Sequence, residues 1–127
     1  MYIVRFSTPR VVAYTDPRAF DSRVQRWLAQ REGENSYFLG LLPTLTAGGP
    51  RPGLNFLTVE EDGAILAACL CLADGTICMS WATPEVIDAV VDHICSAQWL
   101  VRHIHGPAHV AGYLGRAYAR RESTLME

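Results

Sequence analysis

Lysine is absent: all 11 basic residues of this 127-residue chain are arginine. That excludes Schiff-base chemistry and a P-loop lysine. An excess of either charge is missing too, with 11 basic residues against 13 acidic ones and a net charge of −2. The basic footprint of a nucleic-acid binder is therefore not there, and nucleic acid is not an expected partner. No apolar run approaches the roughly 18 residues of a membrane span, so no membrane partner is expected either. The opening Met1-Tyr-Ile-Val-Arg-Phe-Ser-Thr-Pro-Arg lacks the basic, apolar and small-residue parts of a secretory signal. The expected location is the cytoplasm.

Motifs of catalysis are equally scarce. There is no Gly-x-Ser-x-Gly elbow, and Ser7, Ser22, Ser36, Ser80, Ser96 and Ser123 have no neighbour that marks them as nucleophiles. Cys69, Cys71, Cys78 and Cys95 form no Cys-x-x-Cys pair and sit in apolar runs, so they read as buried, reduced, metal-free thiols of unlowered pKa. His93, His103, His105 and His109 include two that share one face of a short strand. The turn expected at Gly106-Pro107 separates these from His109, and no carboxylate follows nearby. They read as surface or turn histidines, not metal ligands. Glu60-Glu61-Asp62 reads as solvated charge at a hairpin tip. No catalytic residue and no metal ligand is assigned.

What the chain does have is a punctuated apolar stretch from Asn55 to Ser80. Asp62-Gly63 and Asp74-Gly75 supply the positive φ angles of type I′ turns, which predicts a three-stranded antiparallel meander over 55–60, 64–73 and 76–80. Ala64 to Ala73 is apolar at every position up to its end, the pattern of a strand covered on both faces. Helices are therefore expected on each side of the sheet, in one domain of class α/β (α+β) spanning residues 1–127. A chain of this length buries roughly two-thirds of its unfolded surface.

Around the meander the signals are local. Tyr2 to Phe6 reads as a short strand, with Val11 to Tyr14 its continuation or a second one. Asp16-Pro17 starts a helix whose apolar stripe is Phe20, Val24, Trp27 and Leu28. Asn35 or Ser36 caps a second helix carrying Phe38, Leu41, Leu42 and Leu45, and Pro43 predicts a kink or an early end. Residues 46–53 are turn-rich, and their glycine pair precedes a strand, without the helix N-terminus of a phosphate loop. Thr83-Pro84 starts a third helix, buried along Ile87, Val90, Val91, Ile94 and Cys95. Leu100 to Ile104 reads as a strand, Gly106-Pro107 begins the last helix, and residues 122–127 read as a frayed tail.

The resulting order is strand, helix, helix, meander, helix, strand, helix, and it resembles the GNAT superfamily of N-acetyltransferases as far as its fourth helix. Asp16-Pro17-Arg18-Ala19-Phe20, Trp27-Leu28, Arg31-Glu32-Gly33-Glu34-Asn35, Phe38-Leu39-Gly40-Leu41-Leu42 and Ala82-Thr83-Pro84-Glu85 look like the N-terminal half of bacterial two-part GNAT-type acetyltransferases. The resemblance covers nearly all of residues 1–121. It implies a GNAT-like mixed, mainly antiparallel sheet with helices on both faces. In that superfamily a turn of the pattern Arg/Gln-x-x-Gly-x-Gly/Ala, between the fourth strand and the next helix, holds the pyrophosphate of acetyl-CoA.

Here the corresponding segment is Cys78-Met79-Ser80-Trp81-Ala82-Thr83-Pro84-Glu85-Val86, with neither glycine nor arginine. Pro84 removes an amide donor and Glu85 puts a negative charge where phosphate would sit, and Thr83 is expected to satisfy one helix amide with its own hydroxyl. In the two-part proteins the binding turn lies in a later segment. The leading expectation is a substrate-side or scaffolding half without its own acetyl-CoA site, binding no cofactor, partnered by a separate GNAT catalytic chain or by a second copy of itself. One alternative is an active N-acetyltransferase that holds acetyl-CoA atypically along the fourth strand, with Cys78, Ser80 and Trp81 as contacts. Another is a small-molecule binding module with its pocket between the meander and the helices.

Overall fold

The computed structural model describes residues 8–125, so the strand expected at Tyr2 to Phe6 lies outside the described residues. The elements are β1 (Arg10–Tyr14), α1 (Pro17–Ala29), α2 (Ser36–Gly48), β2 (Asn55–Glu61), β3 (Ala64–Cys71), β4 (Thr76–Met79), α3 (Pro84–Ser96), β5 (His103–His105) and α4 (Ala108–Leu125). The strands form one sheet in the order β1-β2-β3-β4-β5. β1 to β4 pair antiparallel and β5 lies parallel to β4. The parallel step requires a crossover, and α3 supplies it.

Strand alternation sends successive side chains to opposite faces, and each face has its own core. Leu57, Val59, Ala67, Cys69, Ile77 and Met79 pack with Ile87, Val90, Val91 and Ile94 of α3 and with Val110, Leu114 and Ala117 of α4. On the other face Phe56, Ala68, Leu70 and Cys78 meet Phe20, Val24 and Leu28 of α1 and Phe38, Leu42 and Leu45 of α2. Phe20 sits at the centre of this second core, 4.6 Å from the ring of Phe56 and 6.0 Å from that of Phe38. The unbroken apolar run of β3 is thus explained, since six of its eight residues, Ile65 and Ala67 to Cys71, are buried between the two layers.

Asp16 caps α1 as expected, its Oδ1 accepting from the Arg18 amide at 3.1 Å. The first hairpin turn has positive φ at both Asp62 and Gly63, as a type I′ turn requires. The second differs from its expected type I′ form. Only Gly75 has positive φ (92°), the Gly75 amide bonds the Leu72 carbonyl, and Asp74 Oδ1 accepts from the Thr76 amide at 2.9 Å. This is a type I turn closed by a left-handed glycine, which adds a residue to the loop and ends β3 at Cys71 instead of Ala73.

Four further expectations are corrected. Pro43 neither kinks nor ends α2 early, which runs on to Gly48. It faces solvent, while Leu42 and Leu45 keep the neighbouring turns in the core. Thr83 is the N-cap of α3 but makes no side-chain cap bond. Its carbonyl accepts the first helical bond, from Ile87, at 3.0 Å. β5 begins at His103, not Leu100, because the chain leaves α3 through a Schellman-type end. Trp99 donates to the Ile94 carbonyl, and Arg102 and His103 both reach the carbonyl of Gly75. Finally, residues 122–125 are helical, held where Arg121 pairs with Asp92 of α3.

The end of α3 places Gln98 at φ 57°, the left-handed position that glycine ordinarily fills. A β-carbon there costs roughly 1 kcal/mol or more. Gln98→Gly should therefore raise stability by about 0.5–1 kcal/mol, read as a higher urea midpoint at unchanged slope. A lower midpoint would contradict this account of the helix end.

Candidate functional site

The places to look are where polar side chains enter the apolar layers, and there are two on the α1–α2 side. The first is at the junction of α1, α2 and the C-terminal ends of β4 and β5. Asn35, in the turn between the two helices, is 2% exposed. Its Nδ2 donates to the carbonyl of Leu28 at 3.0 Å, and its Oδ1 accepts from the amide of Trp81 at 2.9 Å. Both ends of one carboxamide are used, so the end of α1 is tied to the segment that follows β4.

That tie sets what surrounds Trp81. The Arg31 guanidinium lies over the indole, 3.6 Å from the ring centroid, and Nη1 reaches Glu34 at 3.3 Å. In the first turn of α2, Tyr37 stacks on His105 with 4.5 Å between centroids and 11° between planes. Gly106 follows directly, and a β-carbon there would stand 2.7 Å from the carbonyl oxygen of Met79. Only glycine permits this approach of the chain after β5 to the end of β4.

Of the three cofactor-contact candidates, Trp81 alone has exposed surface. Cys78 is 0% exposed within the α1–α2 core. Ser80 is 0% exposed as well, its Oγ accepting from the Ala68 amide at 2.9 Å and donating to the Trp81 carbonyl at 3.0 Å. The Ser80 amide in turn donates to the Ala68 carbonyl at 3.0 Å. The amides of Ser80 and Trp81, at the start of the segment where the resemblance puts a pyrophosphate turn, are thus both consumed by the fold.

The second polar intrusion is Glu60. Its place is in β2 next to the bulge at Val59/Glu60, not at the hairpin tip, and it is 6% exposed. Phe56, Thr58 and Glu60 alternate onto the α1–α2 side, so the carboxylate points under α1. Arg23 donates to Oε1 at 2.7 Å, Thr58 donates to Oε2 at 2.6 Å and Tyr14 to Oε2 at 3.4 Å. Burial pushes the carboxyl up, but the bonds from Arg23 and Thr58 and the Arg23 charge outweigh it, and Glu60 lies below the ordinary carboxylate value.

The histidines divide by element. His103 and His105 flank Ile104, which packs into the α3–α4 core, while His109 stands exposed on α4. Among the described residues no group of three or more His, Cys, Asp or Glu side chains is arranged to hold a metal. The four thiols are unpaired. Burial pushes Cys71 up to about 11 and Cys78 up to about 12, and raises Cys69 and Cys95 as well. The shifts found at Glu60, Asp74, Arg23, Tyr113 and Tyr118 also lead away from neutrality, downward for the carboxyls and upward for the rest. None of these groups is poised as a general acid or base at neutral pH.

No family model, curated protein or solved structure matches the chain.

Reasoning from the sequence missed Asn35 as a bridge, reading it only as a helix cap, and missed Arg31 as the cation over Trp81. It also placed Glu60 with Glu61 and Asp62 in solvent. The alternation Phe56-x-Thr58-x-Glu60 was the available signal, since it puts the carboxylate on the same face as a core phenylalanine.

Arg23→Met should uncover the role of Glu60 through its pH dependence. In the intact protein the folded carboxyl is lowered, so its stabilisation is present above the unfolded value and lost as pH falls through the folded one. Without the guanidinium two of the causes that lower the carboxyl are gone, and burial, the largest single cause, pushes it upward. The variant should lose about 1–2 kcal/mol at pH 7, at the low end for a charged bond because Arg23 is 37% exposed. The deficit should shrink by pH 4 in urea unfolding. A deficit that is the same at both pH values would show that Arg23 acts only by packing.

Proposed function

We propose that this chain is a GNAT-acetyltransferase-like domain without an acetyl-CoA pyrophosphate loop, acting as a non-catalytic substrate-side or scaffolding half. The order β1-α1-α2-β2-β3-β4-α3-β5-α4, with β5 parallel to β4, agrees with what the resemblance implies and supports this reading. The observation that carries it is the bond from the Trp81 amide to Asn35 at 2.9 Å.

A pyrophosphate site needs several backbone amides pointing into one concavity at a helix N-terminus. Ser80 and Trp81 give theirs to Ala68 and Asn35. Pro84 has none, and Glu85 sits exposed in the first turn of α3, where its charge complements the helix dipole and repels an anion. Among the described residues Arg31 is the cation stacked on this segment, and it is shared with Glu34. The shifted titratable groups support the same conclusion, because none is brought toward neutrality. A separate catalytic chain that carries the CoA-binding turn is the complement this reading requires; a second copy of this chain lacks the turn as well and would act only as a scaffold.

Titration calorimetry of the full chain with acetyl-CoA tests it. The expected result is no saturable heat up to millimolar ligand. Saturable micromolar binding would instead favour the working enzyme with an atypical cofactor site, in which Trp81 is the accessible contact.

A further inference from the structure

On the other side of the sheet, between the end of α3, the loop after it and the C-terminal part of α4, lies a cavity of about 360 Å³. Ile94, Cys95, Trp99, Leu100, Val101 and Tyr118 give it an apolar and aromatic wall, which Gln98 and Glu122 complete. The volume falls within the roughly 300–1,000 Å³ of small-molecule sites. A second hollow of about 230 Å³, reaching Cys71 and Leu72, shares Gln98, Trp99 and Leu100 with the first. The loop therefore stands between two spaces instead of filling either.

This loop is held open by specific contacts. Gln98 is fixed in its left-handed conformation at φ 57°. The Trp99 amide donates to Ile94 at 3.0 Å, and the indole meets the ring of His93 edge-on at 5.5 Å. The Leu100 carbonyl accepts from the Cys71 thiol at 3.7 Å. Leu100 is left 50% exposed, one of two large apolar side chains so exposed among the described residues.

The cavity wall carries one carboxylate, Glu122. On α3 and α4, Asp92 and Arg121 pair with each other. Glu122 and Tyr118 stand together in the cavity wall. Burial raises the Cys95 thiol, and among the charges Glu122 and Asp92 add to that rise while Arg121 opposes it. An indole, a phenol and a carboxylate lining one apolar space are the groups that hold organic cations, by ring faces and by charge.

We propose that this cavity binds a small hydrophobic organic cation. Its apolar body would rest on Ile94, Leu100 and Val101, and its ammonium would lie among Trp99, Tyr118 and Glu122. An anion of the same size would meet Glu122 unfavourably. The proposal is independent of the acetyltransferase-like reading, because the cavity is on the α3–α4 side and shares no residue with the Arg31–Trp81 junction.

The test follows the indole N–H signals of the 15N-labelled full chain during titration with benzyltrimethylammonium, and with neutral benzyl alcohol in parallel. The expected result is a saturable shift at Trp99, little change at Trp27 and Trp81, and about tenfold weaker binding of benzyl alcohol. Glu122→Gln, which keeps the side-chain volume, should weaken the cation about tenfold and leave benzyl alcohol unchanged. Should that variant fold poorly, the comparison of the two probes on the unaltered chain still decides. Non-saturating shifts, shifts centred on Trp27 or Trp81, or equal affinity for the two probes would overturn the proposal. Undiminished binding of the cation to a folded Glu122→Gln variant would do the same.

Discussion

One buried carboxamide fixes the geometry on which the functional reading rests. Asn35 is 2% exposed and bonds the end of α1 through Leu28 and the segment after β4 through Trp81. A buried amide with both ends satisfied is specific in a way that apolar contacts are not, since displacing either partner leaves a polar group unpaired, at roughly 1–3 kcal/mol. This bond turns the Trp81 amide inward and sets its indole beneath Arg31. It also leaves the junction of β4 and α3 with few free donors. The same interaction that stabilises the fold removes a group that an anionic cofactor would need.

The two cores explain why the sheet tolerates this polar junction. β3 lies at the middle of five strands and is buried on both faces over most of its length, so α1–α2 and α3–α4 each close on a separate apolar surface. Charge enters the α1–α2 layer at Glu60, where Thr58, Tyr14 and Arg23 all contribute donors. A charge so placed needs nearly complete hydrogen bonding to be retained, and the carboxyl is lowered because it has that. Its environment is structural in kind: a paired, stabilised carboxylate is a poor proton acceptor near neutrality.

What could be read from the sequence was governed by short-range rules. Asp62-Gly63 gave its turn type, Asp16-Pro17 its helix start, and the continuous apolar run of β3 its place between two layers, because each depends on residues within a few positions. Pro43 was misjudged because propensity was overruled by packing through Leu42 and Leu45, and the end of α4 because the helix continues past Arg121, which pairs with Asp92 at the surface. The start of β5 depended on a left-handed Gln98, which no composition rule anticipates. The junction was the least legible part. Asn35 and Trp81 are 46 positions apart, and Arg23 and Glu60 are 37 apart. A polar residue in a turn looks the same whether it caps a helix or bridges two layers, and only the packing of α1–α2 on the sheet decides.

Amide hydrogen exchange at Trp81 measures the central constraint most directly. If the Asn35 bond holds the β4–α3 junction closed, the Trp81 amide should exchange only with the slow openings that free the core amides of β3. In Asn35→Ala it should exchange orders of magnitude faster, while β3 amides such as Leu70 slow down or speed up only with global stability. Exchange of the Trp81 amide in the unaltered chain at the rate of an exposed loop would contradict the account, because that amide would then be available to a ligand.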